Sequence, residues 1–200
     1  MPTVEHPENI LSASLGDVLG HIASEMPSPA GGSAAAIVVA LGAGLTAMCA
    51  RNSRERWPEA RGATAQAEAL RSRIEPLAQA DAEAYESALA AFRLPELLEP
   101  EVRNATLGVA LERAAAIPLA IAEVGADVAQ LAADLAENGN PDVRGDAVAG
   151  AVLAEAGTRV AAHLVRINLG AAPDDMRVTR ATTVAEGAAQ AARRALEGAE

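Results

Sequence analysis

The sequence predicts an all-α protein: one domain over residues 1–200, built as a bundle of about six long, mostly antiparallel helices. Three observations carry that expectation. Half of the residues are apolar, yet only 2% are aromatic (Trp57, Tyr85 and Phe92), and alanine supplies much of the rest. Alanine has the highest helix propensity and lets helix axes approach closely. Apolar residues recur at spacings of three and four over long stretches, and strand-like alternation is absent. Proline and glycine clusters cut these stretches into pieces of helical length.

The first helix is expected over residues 10–24, stopped by Pro27 and Pro29, since two prolines cannot continue a helix. The turn Ser28-Pro-Ala-Gly-Gly-Ser33 then opens a second helix, residues 32–54, buried in the core. Val38, Leu41, Leu45 and Met48 share one of its faces, and Gly42, Ala43, Gly44 and Ala47 form another that invites close approach by a neighbour. The third helix, residues 58–92, carries Leu70, Ile74, Leu77, Ala84, Ala88 and Phe92 on one stripe, with Pro76 set to kink it. Asp81 falls on that stripe, and Tyr85 one turn later can meet it. In the fourth helix, residues 99–138, Leu107, Leu111, Ala114, Pro118, Ile121, Gly125, Val128, Ala132 and Leu135 keep a seven-residue period. Gly139 reads as its C′ residue. The turn Asn138-Gly-Asn-Pro-Asp142 offers Asp142 as N-cap of a fifth helix, residues 143–169. The apolar line of that helix is Gly150, Leu153, Gly157, Val160, Leu164 and Ile167, and one turn back it reaches Asp146. Ala172-Pro-Asp174 is a further turn, before a sixth helix over residues 175–196.

The net charge is −11 and all 16 basic residues are arginine. No basic stripe can neutralise phosphates, so neither nucleic-acid nor anionic-membrane binding is expected. An acidic chain tolerates a cationic ligand. Cys49 is the lone cysteine and reads as a buried, inert thiol. Glu5 and Glu8 without a basic stretch do not resemble a secretory leader, so a cytoplasmic location is expected. Residues 31–50 carry no charge over the length of a membrane span. Their Gly, Ala, Ser and Thr content, and the absence of a second such segment, favour a core helix. His6, His21 and His163 show no ligand spacing, so no metal is expected.

Two features point to chemistry. Gly31-Gly32-Ser33 is a glycine-rich helix start, where free N–H groups and the helix dipole can hold an anion or a carbonyl; the plainer alternative is a turn capped by Ser33 or Ser28. Asp81 and Asp146 both lie where a core residue belongs, and such carboxylates are usually paired or functional. A buried hydrogen bond to a neighbouring helix, or a cap, is the structural alternative for each.

Ser28-Pro-Ala-Gly-Gly-Ser-Ala-Ala-Ala36 resembles the helix start of the cyclodeaminase/cyclohydrolase family. The likeness continues, in order, through Asp81-Ala-Glu-Ala-Tyr85, Ala91-Phe-Arg-Leu-Pro95, Ala115-Ala-Ile-Pro-Leu119, Gly139-Asn-Pro-Asp-Val-Arg-Gly-Asp146 and Ile167-Asn-Leu169. The resemblance implies an elongated helical homodimer with its site between protomers, and a tetrahydrofolate derivative as substrate with no further cofactor. It implies hydrolysis of 5,10-methenyltetrahydrofolate to the 10-formyl form, or cyclisation of 5-formiminotetrahydrofolate with loss of ammonia. Without a formiminotransferase segment in this chain, hydrolysis is the simpler of the two. In that frame Asp146 stabilises the cationic amidine carbon and activates water, and Asp81 with Tyr85 transfers a proton or binds the pterin. Asn140 orients water or a pterin edge, and the Ser28-to-Ser33 turn, through Gly31 and Gly32, receives a carbonyl or the glutamate tail. Asn168 belongs to the same set, and Arg54 and Arg56 hold carboxylates. Ala30, Gly145 and Asp142 depart from the family pattern. They leave open a non-catalytic folate-binding or scaffold dimer, and an enzyme of the same fold acting on another cyclic amidine.

Overall fold

The computed structural model describes residues 9–94, 99–169 and 174–198. Six α-helices make up the described residues, with no strand among them: α1 (Leu15–Ile22), α2 (Gly31–Asn52), α3 (Ala60–Phe92), α4 (Pro100–Asn138), α5 (Arg144–Asn168) and α6 (Met176–Glu197). Single 3-10 turns occupy Ile10–Ser12 and Pro141–Val143. His6, Glu5 and Glu8, Pro95, and Ala172 and Pro173 of the expected turn lie outside the described residues. The expected first helix is two pieces, because Ser14 stops the 3-10 turn and caps α1, accepting from Asp17 N at 3.2 Å.

The core is made of alanine. Val39, Ile74, Ile121, Val128, Leu135 and Val165 are its largest fully buried apolar side chains, and alanine fills most of the remainder. With so little side-chain volume, contact requires the helix axes to close up. α5 lies antiparallel to α2 and packs against α4 and α6 as well, while α2 packs on α3. At the α2–α5 crossing a Cβ on Gly42 would stand 2.9 Å from the Gly150 carbonyl oxygen, so the two backbones touch. The buried hydroxyls cost nothing there: Thr46 donates to Gly42 O and Thr158 to Ala154 O, each at 2.8 Å.

The alanine core corrects the facing of several residues. Along α5 the inward side is Ala147, Gly150, Ala151, Ala154, Gly157, Thr158, Ala161, Ala162 and Val165. The expected apolar line runs along the edge of that side: Gly150 and Gly157 are buried, but Val160 is 44% and Ile167 58% exposed, and Asp146 is exposed. In α2 the small residues Gly42, Ala43 and Ala47 are buried, Leu41 is 58% exposed, and Gly44 faces open space. The stripe of α4 is buried as expected from Ala114 to Leu135. Phe92 is exposed because the distal ends of α3 and α4 form only a small apolar cluster of their own, through Ala88, Ala91, Ala110 and Ala114.

The helix ends also differ. Gly139 keeps a negative φ of −79°; it is small because a Cβ would come 2.8 Å from Ser53 Oγ. Asp142 caps nothing: Asn140 Oδ1 accepts from Asp142 N at 3.1 Å and caps the 3-10 turn, and Val143 precedes α5 without a side-chain cap. Residues 31–50 form the expected core helix, but they are not the sole segment of spanning length and apolarity. Gly31–Asn52, Pro100–Asn138 and the segment Pro141–Asn168 are all long and apolar enough to cross a membrane, since alanine counts as apolar in every one.

Gly42→Ala is expected to cost about 1–3 kcal/mol in denaturant unfolding, because a backbone must move to admit the methyl group. At the start of α6, Asp175 accepts from Arg177 N at 2.8 Å, and hydrogen bonding from the Arg177 side chain holds its carboxyl down, from 3.8 to about 2. A folded-state value below the unfolded one stabilises above the unfolded pKa and fades as pH falls towards the folded one. Asp175→Asn should therefore melt below the wild type at neutral pH, with the gap closing as pH drops from about 4 to about 2.

Candidate functional site

The expected site residues form two groups, one at each end of α2, about 30 Å apart by the rise of the helix. At the N-terminal end a cleft of about 190 Å³ is lined by Gly31, Gly32, Asp81, Tyr85, Pro118, Leu164, Ile167 and Asn168, among others. Ser33 does not cap its own helix. Ala30 holds the N-cap position without a side-chain bond, and Ser33 Oγ donates across to Ala78 O at 2.8 Å and Asp81 Oδ2 at 3.2 Å. Asp81 takes the Ser33 backbone N–H as well, so α3 supplies the anion that satisfies the start of α2. Burial pushes the Asp81 carboxyl up from 3.8, and the two Ser33 hydrogen bonds only partly oppose it. Gly32 makes this possible: a Cβ there would overlap the Asp81 carboxylate. Ser28 is buried beside a cis bond to Pro29, and its hydroxyl has no hydrogen-bond partner among the described residues.

Asn168 enters the cleft for a reason written in α4. Pro118 lacks the N–H that would bond the carbonyl of Ala114, four residues earlier. Asn168 Nδ2 donates to that carbonyl instead, at 2.5 Å. Its amide nitrogen is thus committed to the helix, a role legible in hindsight from any proline inside a helix. Tyr85 is 44% exposed at the rim.

At the other end of α2, Ser53 is buried and acts as a hub that sequence patterning does not single out. Its Oγ donates to Cys49 O at 2.8 Å and accepts from Asn140 N at 2.9 Å. Asn140 Nδ2 donates to Asn52 O at 3.2 Å, which fastens the 139–143 turn to α2. Arg54 and Arg56 are exposed in the turn that follows. Asp146 stands in the first turn of α5, exposed rather than on a core stripe, and close enough to Cys49 for its charge to be felt there. Burial first, and the Asp146 charge second, push the Cys49 thiol up to about 11. Its Sγ lies 3.4 Å from Val143 O. A larger, shallow groove of about 680 Å³ between the distal ends of α3 and α4 holds none of the expected site residues. No group of three His, Cys, Asp or Glu side chains fit to hold a metal occurs among the described residues.

An all-α bundle with carboxylates set at both ends of a glycine-started core helix matches one family along nearly its whole length. The chain belongs to the formiminotransferase-cyclodeaminase family, whose model matches residues 14–199. It is 35% identical over 158 residues to the methenyltetrahydrofolate cyclohydrolase of Methylorubrum extorquens, covering 75% of this chain and 76% of the relative. It is 30% identical over 184 residues to the formimidoyltransferase-cyclodeaminase of Rattus norvegicus, of whose length it spans 33%. The crystal structure of formiminotetrahydrofolate cyclodeaminase from Thermotoga maritima superposes with a TM-score of 0.81 at 27% identity, covering 94% of this chain and 98% of that one.

The proximity of Asp146 to Cys49 has a direct check. Removing the negative charge makes the thiolate less costly, so Asp146→Asn should lower the Cys49 pKa below about 11. Ultraviolet thiolate titration of the two proteins reads the shift, and an unchanged titration rules the proximity out.

Proposed function

We propose that this protein acts on a folate one-carbon unit at the amidine carbon bridging N5 and N10, with hydrolysis of 5,10-methenyltetrahydrofolate as its first activity. The observation that carries the reading is Asp81: a carboxylate with a raised pKa on the wall of a small apolar-lined cleft, held against the start of α2. The methenyl bridge is a delocalised cation, and a partly desolvated carboxylate complements it far better than water does. Burial raises the Asp81 carboxyl above the ordinary carboxylate range, the direction that suits a group exchanging protons with the substrate. Water adds to the bridging carbon and gives one proton to a carboxylate; the C–N5 bond then breaks as N5 takes a proton back from a carboxyl, the place Asp81 fills, and the remaining hydroxyl proton is released as the formyl C=O forms. The relative matched over three quarters of both lengths is a cyclohydrolase, which supports water over N10 as the nucleophile. Cyclisation of 5-formiminotetrahydrofolate with release of ammonia is the second activity, supported by the Thermotoga maritima structure.

Asp146 and Asn140 lie too far from Asp81 to serve the same substrate within one protomer, and a homodimer resolves this. α2 and α5 are antiparallel and leave apolar side chains outside: Leu41, Val152 and Val160 are exposed, and Val38 and Val160 line a groove of about 290 Å³. Two copies joined across this face by a two-fold axis would set the N-terminal end of one α2 against the C-terminal end of the other. Asp81, Gly32 and Tyr85 of one protomer would then face Asp146, Asn140, Arg54 and Arg56 of its partner. Asp146 would activate water, and the arginines would meet the glutamate carboxylates.

Loss of methenyltetrahydrofolate absorbance with purified protein tests the activity; no acceleration over buffer sinks it. Asp81→Asn and Asp146→Asn should each reduce kcat/KM by about 100-fold or more. Mixing the two inactive variants, with subunit exchange, should restore about a quarter of wild-type activity, because half the dimers are mixed and each holds one intact site. No restoration after confirmed exchange excludes a site shared between protomers. Gly32→Ala should keep its fold and lose activity as Asp81→Asn does.

A further inference from the structure

Arg144 opens α5 two residues before Asp146 and faces away from it, into the bundle. Its Nε donates to Ala136 O at 2.8 Å, in the last turn of α4, and its Nη2 donates to Ala195 O at 3.1 Å, in the last turn of α6. The first bond replaces one that α4 gives up. In a continuing helix Ala136 O would accept from the N–H of Asn140, four residues on. That N–H goes to Ser53 Oγ instead, at 2.9 Å, which is how the chain leaves α4 and docks on α2. Arg144 fills the vacated carbonyl and, with its second arm, the end of α6. Two helix C-termini are favourable surroundings for a cation, and only a guanidinium offers two donors in a fixed fork. Gly198 leaves space for it, since a Cβ there would sit 2.9 Å from Nη2.

We propose that Arg144 is a positioning residue: by tying the ends of α4 and α6 to the first turn of α5, it sets where the 139–143 turn and Asp146 stand. Its catalytic consequence rests on the reading of Asp146 given above; its hold on the turn does not. The ion pairs of Arg194 with Asp134 and Glu137 join the same two helices without touching the turn, and so provide the control.

Arg144→Lys keeps the charge but can meet only one of the two carbonyls. In this variant, amide hydrogen exchange over residues 139–146 should quicken about tenfold while the centre of α2 stays as protected as in the wild type. The kcat for methenyltetrahydrofolate should fall about 10- to 100-fold, with KM within about twofold. Arg194→Met should lose similar thermal stability with kcat and exchange in 139–146 unchanged. Gly198→Ala repeats the test with the arginine present, its methyl group pressing Nη2 off Ala195 O, and should quicken the same amides to a smaller degree. The Gly198→Ala result decides the matter if Arg144→Lys does not fold. Wild-type exchange over 139–146 in both variants overturns the proposal, as does quickened exchange with a kcat no lower than that of Arg194→Met. A wild type inert on folates overturns the functional reading alone, because exchange needs no substrate and still decides whether Arg144 holds the turn.

Discussion

The contact on which the rest of the structure depends is the backbone-to-backbone crossing of α2 and α5. A core of alanine has too little side-chain volume to fill the usual space between helices. It becomes dense only if the axes close until main chains meet, as Gly42 and Gly150 allow. That closure makes α2 the axis of the molecule, packed on α3, α4 and α5. It also leaves α2 with no polar side chain to spare along its length, so polar chemistry is confined to its two ends.

Each end is completed by borrowed groups. The start of α2 takes its anion from Asp81 on α3, because Ala30 at the N-cap position has no side chain to offer and Gly32 clears the space. The far end takes the 139–143 turn, through Ser53 and Asn140, and the turn in turn leans on Arg144. Helix termini are where orphan N–H and C=O groups need partners and where the dipole favours charge. The same physics that forces a solution for stability thus collects carboxylates and amides at the two ends of α2. Displaced large side chains such as Leu41 and Val160 leave the outer face of α2 and α5 apolar, and that face separates, or in a dimer unites, the two ends.

Much of this was legible before the fold was known. The seven-residue period of α4 marks a buried face, which holds from Ala114 to Leu135 while Leu107 and Leu111 are only half-buried, and Asp81 interrupts the apolar stripe of α3; both are statements about a residue's own helix. The facing of α5 did not read correctly. The rule that large apolar residues seek the core places Val160 and Ile167 inside, and Asp146 with them, whereas all three are exposed. With alanine as the core residue the rule inverts, since the small residues are the ones that permit contact. Asn168 belongs to a motif legible in the sequence, but its partner, the carbonyl freed by Pro118, lies on another helix.

The sequence by itself determined the helical class, the segments, and the ordered motifs that mark the family. These depend on propensity and on periodicity within one segment, which are local properties of the chain. Only the tertiary structure decided which face of α2 and α5 is inside, that Ser33 serves Asp81 and not its own helix, and that Asp81 and Asp146 stand at opposite ends of one helix. Those facts depend on how closely two helices approach and on which orphan backbone groups then lack a partner. Both are set by pairs of residues distant in the chain, such as Gly42 with Gly150 and Ser53 with Asn140.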